Sequence, residues 1–368
     1  MGLEIAHPLK EWYRSNRRDL AFRRTRDPYA ILVAEAMLQR TRIVTGVPYY
    51  ERFLARFPTV TDLASASEEE VLRAWEGLGF YGRARNLHRA ARLILTDHGG
   101  CVPERVSALR TLPGVGDYTA GAVASIAFGV PVPAIDGNAT RVLARVFRLR
   151  GDLSRSEGRR RLQAIAESLV PATEPGTYNQ ALMELGATVC LPRAPKCPAC
   201  PIRSMCGAFA EGRVEAYPTI RRTTTVPTVR VAFALIERRG KVLLMQRPAR
   251  GVLAMFWSLP GGELGTHADE ATGLQDLFRS RGLPVRIAEP LARVDHTFSH
   301  RRWKGLMLRG HPAGTIRDRE DLMWASPEDI ERLPVVSFQR RFLEGVAILP
   351  HAQRRLGGTE RGTPRKAF

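Results

Sequence analysis

No run in the sequence reaches the roughly 18 apolar residues that a membrane-spanning helix requires; the longest, Ala120 to Ile135, is broken by prolines. The N-terminus, MGLEIAHPLKEWY, lacks the apolar core of a secretion signal. No internal repeat is evident. Acidic residues are few beside basic ones: 37 Asp plus Glu stand against 56 Lys plus Arg, a formal charge of +19. These absences argue against a membrane protein built on helices. They predict a soluble, cytoplasmic chain with a polyanionic partner, nucleic acid being the first candidate, and association with the nucleoid if the cell is bacterial. Cysteine is scarce as well, five in 368 residues, and in a reducing compartment so few do not make a disulfide framework.

What is present is ordinary for a globular chain. Hydrophobic residues make up 44% and charged residues 25%, and 368 residues exceed one ordinary core, so two or three domains are expected. From Leu9 to about Ala210 apolar residues recur at spacings of three and four. This pattern predicts helices over Tyr29 to Thr41, Pro48 to Phe57, Glu68 to Trp75, Arg83 to His98, Asp117 to Phe128 and Asn138 to Phe147. Residues 212–228, with Pro218, Pro227 and threonines among arginines, read as an exposed linker. Beyond them VRVAFALIERRGKVLLMQRP alternates around RRGK, a hairpin signature that opens a mixed α/β domain. The segment 351–368 is Gly, Arg, Thr and Pro and is predicted to be disordered.

Four of the five cysteines fall within CLPRAPKCPACPIRSMC, spaced C-x6-C-x2-C-x5-C through Cys190, Cys197, Cys200 and Cys206. Four thiolates from one loop are a metal-ligand set. Zinc is the competitor, but structural zinc sites show two short paired spacings and here there is one C-x2-C, an asymmetry that favours a cuboidal iron-sulfur cluster. Cys101 stands apart as a spare thiol.

LPGVGDYTAGAVASIAF, from Leu112, reads as a helix-hairpin-helix in which Gly114 and Gly116 let backbone N–H groups approach a DNA phosphate. An ordinary helix corner is the alternative, and the basic chain tilts the reading toward DNA. Two carboxylates complete the picture. Glu35 lies alone in the apolar run YAILVAEAMLQ, where burial raises a carboxyl's pKa, although a solvated helix face is the plainer reading. Asp136, in AIDGNATRVLAR, stands where a helix N-cap is expected. A proton donor paired with an ionised carboxylate is what cleavage of a glycosidic bond through an oxocarbenium-like state requires.

With these features in this order, the chain resembles the MutY family of adenine DNA glycosylases, within the helix-hairpin-helix superfamily that includes endonuclease III. The phrases that carry it are DPYAILVAEAMLQ, VPYYERFLARFPTV, WEGLGFYGRARNLHRAA, LPGVGDYTAGAVASIAFG, DGNATRVLARV, the cysteine loop and HTFSH. The resemblance implies an all-α helix-hairpin-helix glycosylase with an iron-sulfur cluster loop domain, followed by an α/β Nudix-like domain. Its parts are a cluster domain from 1–24 and 136–211, a six-helix domain over 25–135, the linker, and a Nudix-like recognition domain over 229–350.

It further implies excision of adenine opposite 8-oxoguanine or guanine in double-stranded DNA by a monomer that flips the base, with a 4Fe-4S cluster on the four cysteines. Glu35 is then the acid on adenine, Asp136 the carboxylate beside the sugar cation, and Tyr118 and Asn138 their supports. Endonuclease III carries a lysine where this chain has Tyr118, so no lyase step is expected. Phe80 takes the place of a wedge tyrosine that intercalates by the oxidised guanine; Leu112, Gly114 and Gly116 face the DNA backbone. Gln39 keeps the first glutamine of a family pair while Arg40 replaces the second. Phe298, Ser299 and His300 match a motif that contacts 8-oxoguanine, and GGELGTHADEATGLQDLFRSRG lacks the paired acids of an active Nudix hydrolase. Two other readings stay open: a mismatch glycosylase for thymine or uracil opposite guanine, invited by Arg40, and a non-enzymatic iron-sulfur protein that binds DNA.

Overall fold

Apolar residues at helical spacing fold as helices throughout the first half of the chain, in a computed structural model that describes residues 4–219, 226–249, 251–265, 269–298 and 301–349. Contacts part the chain into two units between Thr223 and Thr224. The first holds α1 (Ala6–Asn16), α2 (Pro28–Leu38), α3 (Ile43–Arg56), α4 (Val60–Ser65), α5 (Glu68–Ala74), α6 (Gly82–Asp97), α7 (Val106–Leu109), α8 (Asp117–Ala127), α9 (Gly137–Val146), α10 (Ser156–Leu169), α11 (Pro175–Thr188) and α12 (Gly207–Ala210). Among the described residues no helix is long and apolar enough to cross a membrane.

Two helices are apolar on nearly every face and therefore central. α2 starts where the Asp27 carboxylate accepts from the Tyr29 and Ala30 N–H groups and Pro28 occupies the first turn. It buries every residue from Tyr29 to Glu35 and packs against α8. A second core joins α1 to α9, α10 and α11 through Leu9, Tyr13, Leu143, Leu162 and Leu185, with Cys190, Cys200 and Cys206 at its margin.

Three expectations about segments shift. α2 stops at Leu38 rather than Thr41, because Gln39 leaves the helical region and Arg40 takes a positive φ of 56°. α3 begins at Ile43, so Pro48 sits inside the helix and does not open it. The linker starts later than residue 212: Val214–Ala216 form a 3-10 turn, and buried Tyr217 accepts from Arg145 Nε at 3.1 Å through its carbonyl. The segment 351–368, predicted to be disordered, lies outside the described residues.

The second unit comprises β1 (Thr228–Arg238), β2 (Lys241–Gln246), β3 (Trp257–Ser258), β4 (Gly261–Glu263), α13 (Glu270–Ser280), β5 (Val285–Thr297), β6 (Arg302–Pro312), β7 (Leu322–Ala325), α14 (Pro327–Arg332) and α15 (Ser337–Gly345). The expected hairpin joins β1 to β2 with Arg238 opposite Lys241. Its corner residues Arg239 and Gly240 both have positive φ, as a two-residue turn matched to strand twist requires. The sheet runs β3-β2-β1-β6-β5, with β1 and β6 parallel. Alternate residues of β1 enter different cores. Val231, Phe233 and Leu235 meet Ile330 and Leu343 of α14 and α15, while Ala232, Ala234 and Ile236 meet Leu274 and Phe278 of α13. Helices thus cover both faces of a mixed sheet, an α/β sandwich.

Candidate active site

A cavity of 490 Å³ opens in the helical unit, lined by Glu35 of α2, the following Gln39 and Arg40, Tyr118 of α8, Asp136 and Asn138 at the start of α9, and Gln180, Met183 and Glu184 of α11. Its size is that of a small-molecule site. Glu35, Tyr118, Asp136 and Asn138, singled out in the sequence, therefore line one chamber although they come from three helices.

Glu35 is buried, 8% exposed, which rules out the solvated-face reading. Burial pushes its carboxyl up to about 7; the Tyr118 hydroxyl, within hydrogen-bonding reach, opposes the rise, and the charge of Asp136 adds to it. Burial and Glu35 together raise Tyr118 well above an ordinary phenol, so it stays protonated and donates. Its hydroxyl also lies 3.4 Å from Met183 Sδ.

Asp136 is the N-cap of α9, accepting from the Ala139 N–H at 2.7 Å, while Asn138 Nδ2 donates to its other oxygen at 2.8 Å. Burial raises its pKa and these bonds restrain the rise. The capping role and the cavity-lining role coexist in one side chain. Asn138 is held in turn: Arg141 donates to its Oδ1 at 2.8 Å, to the Gly186 carbonyl at 2.7 Å and, through Nε, to the Cys190 carbonyl at 2.8 Å. A continuous chain of hydrogen bonds thus runs from the cysteine loop to Asp136. Gly186 is required in it, since a Cβ there meets Asn138 Cβ at 2.6 Å and its carbonyl oxygen at 2.9 Å.

The sequence reading passed over Glu184, which lines the same cavity. Burial alone raises a carboxyl, but bonds from Arg18 at 2.7 Å and Arg23 at 2.6 Å hold this one down at about 2. Three carboxyls therefore share the chamber under different influences: Glu184 is held down at about 2, Asp136 is raised by burial, and Glu35 is raised to about 7. Two arginines hold Glu184 down and the Ala139 N–H and Asn138 restrain Asp136, whereas the chief group opposing burial at Glu35 is the Tyr118 hydroxyl.

Phe80 is 41% exposed with φ 51°, and the guanidinium of Arg40, which lines the cavity, lies 5.7 Å from its ring. In the hairpin, Gly114 has φ +80° and a Cβ on it meets Asn86 Cβ at 2.7 Å, so no other residue fits. α7 ends at Leu109, and Leu112 accepts the Val115 N–H through its carbonyl at 3.1 Å. Its side chain is buried, so Leu112 offers only backbone to a ligand, and Gly116 caps α8 with open space at its Cα.

Cys190, Cys197, Cys200 and Cys206 are free thiols, each partly buried; burial, with charge on the other three, raises the Cys200 thiol. Arg145 donates to Cys190 Sγ at 3.2 Å. Among the described residues no three His, Cys, Asp or Glu side chains converge on a single-ion site. A cuboidal cluster spaces its four thiolates more widely than one ion does, so the donor set remains fit for it. In the second unit Phe298 packs edge-on against Trp303, with centroids 4.9 Å apart, and against the aromatic core; Ser299 and His300 lie outside the described residues. α13 carries Glu270 paired with Arg230 and Asp276 paired with Arg279, not a cluster of acids.

A helix-hairpin-helix beside a cavity that buries two carboxyls, one of them raised to about 7, defines the class. Residues 33–168 match the HhH-GPD superfamily of base excision DNA repair proteins, and residues 231–345 match the NUDIX domain. The chain is 36% identical over 370 residues to the adenine DNA glycosylase of Homo sapiens, covering 84% of this chain and 68% of that one. It is 38% identical to that of Rattus norvegicus, covering 79% and 67%. The helical unit also resembles a solved thermostable thymine-DNA glycosylase, at 32% identity and a TM-score of 0.52, over 56% of this chain and 95% of that one. The chain belongs to the adenine DNA glycosylase family.

Proposed function

We propose that this chain is a monofunctional DNA glycosylase of base excision repair that removes adenine paired with 8-oxoguanine or guanine. The observation that carries the reading is the meeting of Glu35 and Asp136 in one cavity under different electrostatic regimes. Glu35, protonated below about pH 7, donates to the ring of the extruded adenine as the glycosidic bond lengthens. Asp136, fixed by the Ala139 N–H and Asn138, faces the positive charge that develops on the sugar. Tyr118 orients Glu35. Once the base has left, ionised Glu35 is placed to take a proton from the attacking water. With tyrosine at position 118 no side-chain amine is positioned there to attack the sugar, and strand cleavage is not part of the reaction.

A second reading, release of thymine or uracil opposite guanine, is favoured by Arg40 and by the likeness to the thymine-DNA glycosylase. Single-turnover assays on duplexes with A, T or U opposite 8-oxoguanine or guanine, with borohydride trapping, separate them. Adenine release without a trapped adduct is the expected result. Release of thymine or uracil alone replaces the first reading with the second.

The four cysteines are proposed to hold a 4Fe-4S cluster, which supplies a compact, charged fold for the loop. Arg145 steadies Cys190 and Arg141 links the loop to Asn138. Purified protein is expected to contain iron and sulfide in a ratio of about four each per chain; stoichiometric zinc overturns this assignment.

A further inference from the structure

Arg83, in the first turn of α6, directs its guanidinium at the end of α2. The two N–H groups of Nη1 are shared among the carbonyl oxygens of Ala36 at 3.1 Å, Met37 at 2.7 Å and Gln39, and Thr41 Oγ1 at 3.1 Å. Nη2 donates to the Gly79 carbonyl at 2.9 Å. The same group lies 5.4 Å from the Trp75 ring centroid and 5.3 Å from that of Phe80. Burial lowers its pKa to about 10, and it has no ion pair among the described residues.

An arginine desolvated without a carboxylate is costly unless its donors are satisfied otherwise. Here the carbonyls at the negative end of α2 and two aromatic faces do so. The acceptors belong to the end of α2 with the loop after it, and to a second, separate loop. One follows Glu35 on α2 and carries Gln39 and Arg40; the other carries exposed Phe80. Each loop has a non-glycine residue at positive φ, Arg40 at 56° and Phe80 at 51°, next to a carbonyl that Arg83 binds. Such conformations are costly and persist only where the surroundings over-determine them.

We propose that Arg83 is a positioning residue for base extrusion: it fastens Gln39–Arg40, at the rim of the cavity, to Gly79–Phe80, so that the two loops enter the DNA as one rigid probe. The proposal rests on the glycosylase reading above. Lysine cannot replace Arg83, because one ammonium does not span acceptors on both loops in a planar fork.

The test is Arg83→Lys, alone and with Phe80→Ala, on a duplex with adenine opposite 8-oxoguanine and on one with 2-aminopurine in place of the adenine. Arg83→Lys is expected to melt close to wild type and bind the duplex, to give a several-fold smaller 2-aminopurine fluorescence rise, and to slow base release by about a hundredfold. Phe80→Ala is expected to add little in the Arg83→Lys background, since both changes disable one probe. An unchanged fluorescence rise, or rate effects of the two substitutions that multiply within about twofold, overturns the clamp. If Arg83→Lys does not fold, Thr41→Val, which removes one acceptor, is expected to reduce the fluorescence rise in the same sense, and no change overturns the proposal. Wild type that raises fluorescence but releases no adenine sinks the glycosylase reading instead, and the fluorescence comparison still judges Arg83.

Discussion

Glu35→Gln is expected to bind duplex DNA about as well as wild type and to lose base release by about 10²–10⁴-fold, the range for removing a general acid. Glutamine keeps the shape and a hydrogen bond for Tyr118 but has no proton to give. The pH profile makes the assignment specific. On the proposed mechanism the wild-type rate requires Glu35 protonated and Asp136 ionised. With Glu35 near 7 the rate falls as pH rises through neutrality, about tenfold per unit beyond it, and on the acid side it falls as Asp136 takes up a proton above the usual aspartate range. Residual activity of Glu35→Gln should lack the alkaline fall. If the variant keeps that limb, another group is the acid.

Asp136→Asn separates two roles that one side chain performs. Asparagine caps helices as well as aspartate, so the bond from the Ala139 N–H survives. Its amide nitrogen meets Asn138 Nδ2 donor to donor, which costs about 1 kcal/mol of stability, read as a modest drop in melting temperature. The negative charge facing the sugar is gone, and single-turnover base release is expected to fall by about a thousandfold. Asp136→Ala removes both cap and charge and should melt lower still. An asparagine variant that turns over normally shows that Asp136 is a cap and nothing more.

Local chemistry made some of this legible and left the rest hidden. The apolar run around Glu35 raised burial beside the plainer reading of a solvated face, and the fold decided for burial; the position of Asp136 before a helix announced its cap, and the turn at Arg239–Gly240 could be read from RRGK. Convergence of the two acids came only from the resemblance, because nothing local links helices so distant in the chain. Glu184 was invisible for the same reason: its character depends on Arg18 and Arg23, which lie far off in sequence and carry no motif. The meaning of Arg83 lies in carbonyls, which no side-chain pattern encodes. Pro48 misled by propensity, since proline commonly opens a helix and here sits inside one. The late start of the linker was hidden because a bond between Tyr217 and Arg145 joins segments with no shared periodicity.

The interior position of Glu35 carries a thermodynamic consequence for the whole fold. Its carboxyl titrates at about 7 in the native chain and near 4.5 when unfolded, so between those values the native state retains a proton that the denatured ensemble releases. By linkage this group's contribution falls as pH climbs through that window, by roughly 3 kcal/mol once the solution is well above neutral. Glu184, shifted the other way, loses its contribution only as pH drops below 4.5 toward 2. Taken together these two carboxyls favour the native state most in mild acid, between their windows, and Glu35 withdraws its share in alkali as it discharges.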